Sequence, residues 1–284
     1  MAKKEKKPEE PQYYTSATNN AMLNYRVYKL KPWEGLVFFI ALAVIGGLVG
    51  LVFYGGLFRT SDGTSTFMTF LSNIVVFAAV GLIAFKTFIP SIVEMLKNRR
   101  LKALKMQFRD FLDSLSNSLA GGMNVNAALQ NSYNDIVQQY SENALMALEI
   151  KEMLVGVENN IPIEVSLKNF GERSGIEDVE NFATVFEVAY RTGGNINDIV
   201  RRTTDVISEK MIINEEIRTK LSSNASQMKI MNVIPIFLVL MMRFSSRDFD
   251  LAFSSPVGVV SITIGVFFFV ASYKMGQKIM NIKG

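Results

Sequence analysis

Cysteine and histidine are both absent from the 284 residues. Without cysteine there is no disulfide framework and no thiolate nucleophile, and without either residue there is no zinc site of the usual kinds. Missing histidine also removes the commonest general base. Only carboxylate chemistry or a magnesium site would remain open to such a chain. The sequence also lacks GxxxxGK[ST], so ATP binding in the manner of a P-loop motor is not expected. It lacks the kinase motif set, a nucleophile elbow and HExxH. Gly193-Gly194 lies between helical patterns and follows no strand, so it is not a dinucleotide fingerprint. No catalytic residue, cofactor or metal site is expected, and the chain is read as a non-enzyme.

What the sequence does have is long apolar runs. Hydrophobic residues make up 49%, an ordinary share. The mean hydropathy of +0.21 is high, and the excess sits in four windows separated by polar sequence. Such blocks mark a membrane protein with a soluble part. The first window runs from Leu36 to about Phe58 without a charge, long enough to cross a hydrocarbon core of roughly 30 Å. Trp33, the sole tryptophan, stands at its entrance as an interfacial anchor, and Gly46 and Gly50 form a GxxxG that could admit a close neighbour. The second runs from Phe67 to about Phe85, with Lys86 placed to snorkel and Pro90 predicting a kink or an elbow. The third, about Ile230 to Met242, is marginal in length and holds Asn232 and Pro235; it reads as a short span continuing a cytoplasmic helix, with a re-entrant hairpin as the other option. The fourth, Val257 to Tyr273, follows Ser255 as N-cap and Pro256 in the first turn.

Lysine and arginine set the orientation. They precede the first window (Lys3, Lys4, Lys6, Lys7, Arg26, Lys29, Lys31), follow the second (Lys97, Arg99, Arg100, Lys102, Lys105) and follow the fourth (Lys274, Lys278, Lys283). The two short connections mix signs: Arg59 and Asp62 in one, Arg243, Arg247, Asp248 and Asp250 in the other. Four spans then place both termini and the central segment in the cytoplasm. The expected layout is a basic cytoplasmic tail at 1–33, spans at 34–58, 67–90, 229–244 and 256–274, a cytoplasmic domain at 97–228 and a second tail at 275–284. The first tail reads as solvated and disordered beside anionic lipid; no folded basic face follows it, so nucleic acid is not an expected partner. Some thirty polar residues before the first window argue against a cleaved signal peptide.

Between the span pairs, Leu101, Leu104, Phe108, Phe111, Leu112, Leu115 and Leu119 recur at three- and four-residue steps, one face of an amphipathic helix. Gly121-Gly122 ends it, and Asn124 caps a second helix with Ala128, Leu129, Tyr133, Ile136, Val137 and Tyr140. A third follows around Leu145, Leu148 and Leu154, and a fourth starts at Asn160-Ile161-Pro162 with Val165, Leu167 and Phe170. A fifth carries Val179, Phe182, Val185, Phe186 and Ala189, and Thr192-Gly193-Gly194-Asn195 turns into a long sixth marked by Ile196, Ile199, Val200, Val206, Ile207, Ile217 and Leu221. No window alternates with period two, so no sheet is expected. The predicted fold is all-α: a polytopic membrane protein whose cytoplasmic six-helix antiparallel bundle lies between the second and third of four spans. Gly122 with Asn124, and Thr192, Gly193, Gly194 and Asn195, form two similar corners, either a weak internal repeat or the general way glycine and a capping asparagine turn a chain between helices. They are the candidate structural or partner-facing residues.

From Asp110 to Glu187 there are 13 acidic residues against Lys151, Lys168 and Arg173. This reads as solvated helix faces, or as a negative surface for a basic partner or a divalent cation. Glu177, Asp178 and Glu180 are the densest group and lack calcium-loop spacing.

The ordered pieces Phe108-Arg109-Asp110-Phe111-Leu112-Asp113 with Leu115, Gly122-Met123-Asn124-Val125 with Ala128-Leu129, Gly156 with Ile161-Pro162-Ile163-Glu164 and Leu167, and Thr192-Gly193-Gly194-Asn195-Ile196-Asn197-Asp198-Ile199 resemble the F-domain inner-membrane platform proteins of type II secretion and type IV pilus systems. Pro235 falls where that family places a proline in the next span, while Ser166 and Thr203-Thr204 depart from its pattern. With one such domain, the chain looks most like the TadB/TadC branch of tight-adherence (Flp) pilus assembly. The resemblance implies a platform in the bacterial inner membrane that takes motion from a hexameric cytoplasmic secretion ATPase, helps extract pilin from the lipid bilayer and pairs with an identical or paralogous subunit. A transporter or channel subunit would need a polar path, for which only Asn232 and Pro235 in the third window offer material. A sensor would need an external ligand domain, for which the short connections leave little room.

Overall fold

The computed structural model describes residues 10–59 and 64–280, apart from the side chains of 215, 218–229, 232, 247, 273–274 and 276–280. Lys3, Lys4, Lys6, Lys7, Asp62 and Lys283, and the side chains of Leu221, Asn232, Arg247, Tyr273, Lys274 and Lys278, lie outside the described residues. The chain divides into two units, one from Met1–Lys29 and Ile92–Glu215, the other from Leu30–Ser91 and Glu216–Gly284. Helix dominates both.

In the first unit, strands β1 (Tyr13–Thr15) and β2 (Ala21–Leu23) form an antiparallel hairpin with Tyr14 opposite Met22. Asn19 takes a positive φ of 68° in its turn, a conformation asparagine tolerates better than most residues. The expectations of no sheet and of a solvated tail are therefore corrected for residues 13–29. Strands of three residues are too short to show a period, and what holds them lies far along the chain. The latter part of α2 (Phe67–Ala120) then leads through α3 (Val125–Gln139), α4 (Leu145–Glu158), α5 (Ile163–Ser174) and α6 (Glu177–Thr192) into α7 (Ile196–Ser245). Each sequence corner is a helix boundary.

The apolar stripe of α2 supplies the centre of this unit. Leu104, Phe108, Phe111, Leu112 and Leu115 are buried, with Leu101 and Leu119 packed at the edge. Phe108 is the hub: its ring lies 6.1 Å from Phe111, 6.1 Å from Phe170 of α5 and 5.7 Å edge-on from Phe182 of α6. Aromatic clusters of this geometry add directional packing to their large buried area. Leu148, Val165, Val185 and Val206, read as core markers, are instead exposed on the outward faces of their helices, and Ile217, in the second unit, is exposed as well.

In the second unit, α1 (Pro32–Tyr54) begins with Pro32 in its first turn and the Lys31 N–H donating to the Glu34 carboxylate at 3.1 Å. It packs on the early part of α2 through glycine. A Cβ at Gly46 would stand 2.5 Å from Ala84 Cβ, and one at Gly81 would stand 2.7 Å from the Ala43 carbonyl oxygen. The GxxxG packing read from the sequence is present, and Gly81 of α2 completes it. Outward, Ile45, Leu48, Phe70 and Ile83 are exposed, acceptable in hydrocarbon and costly in water. α2 stays helical through Pro90, so the expected interruption does not end the helix.

α1 and α2 are long and apolar enough to cross a membrane. The third window is the end of α7, unbroken at Pro235, with an apolar stretch of Val233–Ser245. The short connection after it holds α8 (Arg247–Ser254). α9 (Pro256–Met280) follows at a bend of 79°, and the pair counts as a third candidate span only if taken together. Ser255 caps α9 as expected, its Oγ accepting the Gly258 N–H at 3.1 Å.

The ends of these helices are tied by arginine. The Arg243 guanidinium donates to the Leu51 and Gly55 carbonyl oxygens at 3.0 and 2.7 Å, capping α1. Its other side faces Asp250 at 3.5 Å, which also pairs with Arg59. The Gly56 N–H donates to Asn73 Oδ1 at 2.9 Å, and Thr69 Oγ1 donates to the Phe58 carbonyl at 2.9 Å. Arg59, Arg243 and Asp250 of the two short connections thus meet at one place.

Candidate functional site

The two glycine corners are built as capping motifs. Gly122 has a φ of +84° and Gly193 a φ of +71°, the left-handed region where other residues are strained. Asn124 Oδ1 accepts the Ala127 N–H at 2.8 Å and starts α3. After α6, the Gly194 N–H donates to the Ala189 carbonyl at 2.8 Å, closing the helix. Thr192 Oγ1 donates back to the Val188 carbonyl at 2.8 Å, and Asn195 Oδ1 accepts the Asp198 N–H at 3.2 Å to open α7. Ser116 Oγ and Asn197 Oδ1 lie 3.4 Å apart. The fold therefore brings both corners to the same end of the unit, with α2 and α7 side by side below them.

Asp178, in the first turn of α6, joins those two helices. Lys105 of α2 lies 2.7 Å from one carboxylate oxygen and Lys210 of α7 lies 2.5 Å from the other. Burial would raise this carboxyl, but hydrogen bonds from the two lysines, and their charges, hold it below its ordinary value. Glu177 and Glu180 do not share the contact; Glu180 instead faces Arg26 at 3.9 Å. On the other flank of α2, Asp110 accepts from Arg109 at 2.6 Å and from the Tyr140 hydroxyl. Burial first, then the bond to Asp110 and its charge, push the Tyr140 phenol up to about 12. Asp113 is raised by burial; Arg109 opposes the shift, and Asp110 and Asp205 add to it.

The most buried charges lie on α4 and α5. Arg173 Nη1 and Nη2 donate to the two Glu149 carboxylate oxygens at 2.9 and 2.7 Å. The Tyr25 hydroxyl donates to Glu149 Oε1 at 2.9 Å, and Arg173 also reaches the Leu23 carbonyl at 3.1 Å. Burial, followed by the charge and hydrogen bond of Glu149, keeps the Tyr25 phenol well above its ordinary value. The reading of all thirteen acids as solvated faces fails here. Glu149 stands three residues after Met146 and four before Met153, and Arg173 three after Phe170, so both lie on the apolar stripes of their helices. That placement was the signal available in the sequence. Among the described residues no group of three or more acidic side chains is arranged to hold a metal ion.

The ordered corners, the helical core and the apolar helices describe a membrane protein with a helical domain of one specific kind. Residues 111–244 match the family model of Type II secretion system (T2SS), protein F. The match supports the type II secretion F-domain family. It opens at Phe111, in the core stripe of α2, and closes at Phe244 near the end of α7, so it holds both corners, Asp178, Glu149 and Arg173. The hairpin with Tyr25 lies outside it. No curated protein and no solved structure matches the chain.

Proposed function

We propose that the chain is an inner-membrane platform for assembly of a type IV filament of the tight-adherence (Flp) kind, of the TadB/TadC branch, or of a related secretion filament. In this reading it couples a hexameric cytoplasmic ATPase to extraction of pilin and works beside an identical or paralogous subunit. The observation that carries the proposal is the protein F match over residues 111–244. α7 supports it: the 50 residues of Ile196–Ser245 are helical from the Gly193-Gly194 corner to the apolar stretch Val233–Ser245. The test is co-purification. The chain alone should hydrolyse no ATP, should capture a secretion ATPase from its own cell, and its clean deletion should abolish filament assembly. Normal assembly after deletion refutes the proposal.

The proposed topology has four spans with both termini cytoplasmic. It is supported by the meeting of Arg59, Arg243 and Asp250, which puts the end of α7 beside the link between α1 and α2. If α1 and α2 cross the membrane, that link is external, and α7 must cross to reach it. The cysteine-free sequence makes the check simple. Ser65→Cys and Ser246→Cys should react with an impermeant maleimide from outside intact cells, and Asn143→Cys should not. Protection of Ser246→Cys would reduce the third window to a re-entrant segment.

A further inference from the structure

Residues 12–28 precede the first candidate span, yet they are seated on helices that follow the second. The Tyr25 N–H donates to the Arg173 carbonyl at 3.0 Å, and the Arg173 guanidinium returns a bond to the Leu23 carbonyl at 3.1 Å. The hairpin turn has its own seat: Ser16 Oγ at 2.5 Å, Asn20 Nδ2 at 3.1 Å and the Thr18 hydroxyl all donate to the Glu152 carboxylate. At the left-handed end of α5, a Cβ on Gly175 would stand 2.8 Å from Arg26 Cγ. Arg100 covers the Tyr28 ring at 4.3 Å. Main-chain bonds, a buried hydroxyl on a buried carboxylate and a glycine-dependent close approach are all fixed contacts.

We propose that residues 12–28 are a strap that ties the start of α1 to the α4–α5 face, with Tyr25, Glu149 and Arg173 as its latch, so that displacement of this face is passed to α1. Only Lys29, Leu30 and Lys31 separate Tyr28 from Pro32. Four residue steps reach at most about 14 Å, so with the latch closed the first turn of α1 stays within that reach of Tyr28. The inference rests on this geometry and not on the filament reading.

The sole tryptophan, Trp33, sits one residue inside α1 and reports on that helix. The experiment uses the full chain in phosphatidylethanolamine–phosphatidylglycerol liposomes. Tyr25→Ala should lower Trp33 fluorescence anisotropy and raise acrylamide quenching about twofold, as expected when a local contact opens without global unfolding. A second cysteine-pair variant, Thr18→Cys with Gly156→Cys, can relatch the strap, because a Cβ at Gly156 would lie 3.7 Å from Thr18 Cγ2. Oxidising that pair in the Tyr25→Ala background should restore both signals. Cleavage within residues 12–28 that rises while Trp33 stays unchanged overturns the coupling. A disulfide that joins two chains instead of closing within one overturns the strap itself. Should Tyr25→Ala fail to fold, Tyr25→Phe with the cysteine pair reduced and then oxidised makes the same comparison, and equal Trp33 signals overturn the proposal.

Discussion

Glu149→Gln is the most informative single substitution, because the physics of a buried pair predicts both its sign and its remedy. Side-chain exposure is 1% at Glu149 and 4% at Arg173. The glutamine keeps the shape and one acceptor but removes the charge that offsets the guanidinium. Breaking a buried pair from one side costs about 3–5 kcal/mol; with Asn169 Oδ1 at 2.7 Å and the Leu23 carbonyl still accepting from Arg173, the low end, about 3 kcal/mol, applies. That is roughly a hundredfold rise in the open population. Replacing the whole network should cost less. In Tyr25→Phe/Glu149→Leu/Arg173→Met no charge remains, and the main residual penalty is an unpaired Leu23 carbonyl at about 1 kcal/mol. Hydrogen exchange of the peptide holding the Tyr25 amide, measured on the full chain in micelles, reads the opening free energy directly. An exchange rate for Glu149→Gln equal to wild type, or a triple variant less protected than the single one, would refute the reasoning.

The remaining expectations concern the corners, the glycine packing and pH. Gly193→Ala should cost about 1–2 kcal/mol from its left-handed φ alone, since the space around it is open; an unchanged thermal melt contradicts this. Gly81→Ala should cost about 1–3 kcal/mol through collision with the Ala43 carbonyl, seen as a lower melting temperature and a weakened crosslink between cysteines placed on α1 and α2. Asp178 and Glu152 both have lowered carboxyl pKa values. Burial raises each, and is outweighed by lysine bonds at Asp178 and by Ser16, Thr18 and Asn20 at Glu152. Their stabilisation is complete above the unfolded carboxylate range near pH 4 and is lost as pH falls through the lower folded values. Asp178→Asn should therefore flatten the acid limb of the stability profile. Asp113 is raised, so its charge opposes folding above that range, and Asp113→Asn should raise the neutral-pH melting temperature.

The helices of the domain were legible because burial prints a period on them. The stripe from Leu101 to Leu119 became the core face of α2, and the glycine–asparagine corners became caps. Three things were hidden, each for a physical reason. The hairpin at 13–23 is held by α4 and α5, far along the chain, so no local pattern announces it. α8 has only eight residues, too few to print a helical period among its charges. The Asp178 node joins Lys105, Asp178 and Lys210, residues that each read locally as ordinary surface charge; only the juxtaposition of three helices makes them partners. Glu149 and Arg173 were readable in principle, since each interrupts an apolar stripe, but a stripe position does not say which opposite charge will face it.

The hairpin also fixes an order of events at the ribosome. Tyr25 and its acceptor Glu149 are 124 residues apart, and both α1 and the apolar part of α2 are made between them. At 5–20 residues per second the hairpin waits roughly 6–25 s for its seat to be synthesised. Through that interval Tyr25 and the hairpin turn lack the α4 and α5 partners they have in the native fold. The hairpin is made before α1 and is seated only after α5 has left the exit tunnel.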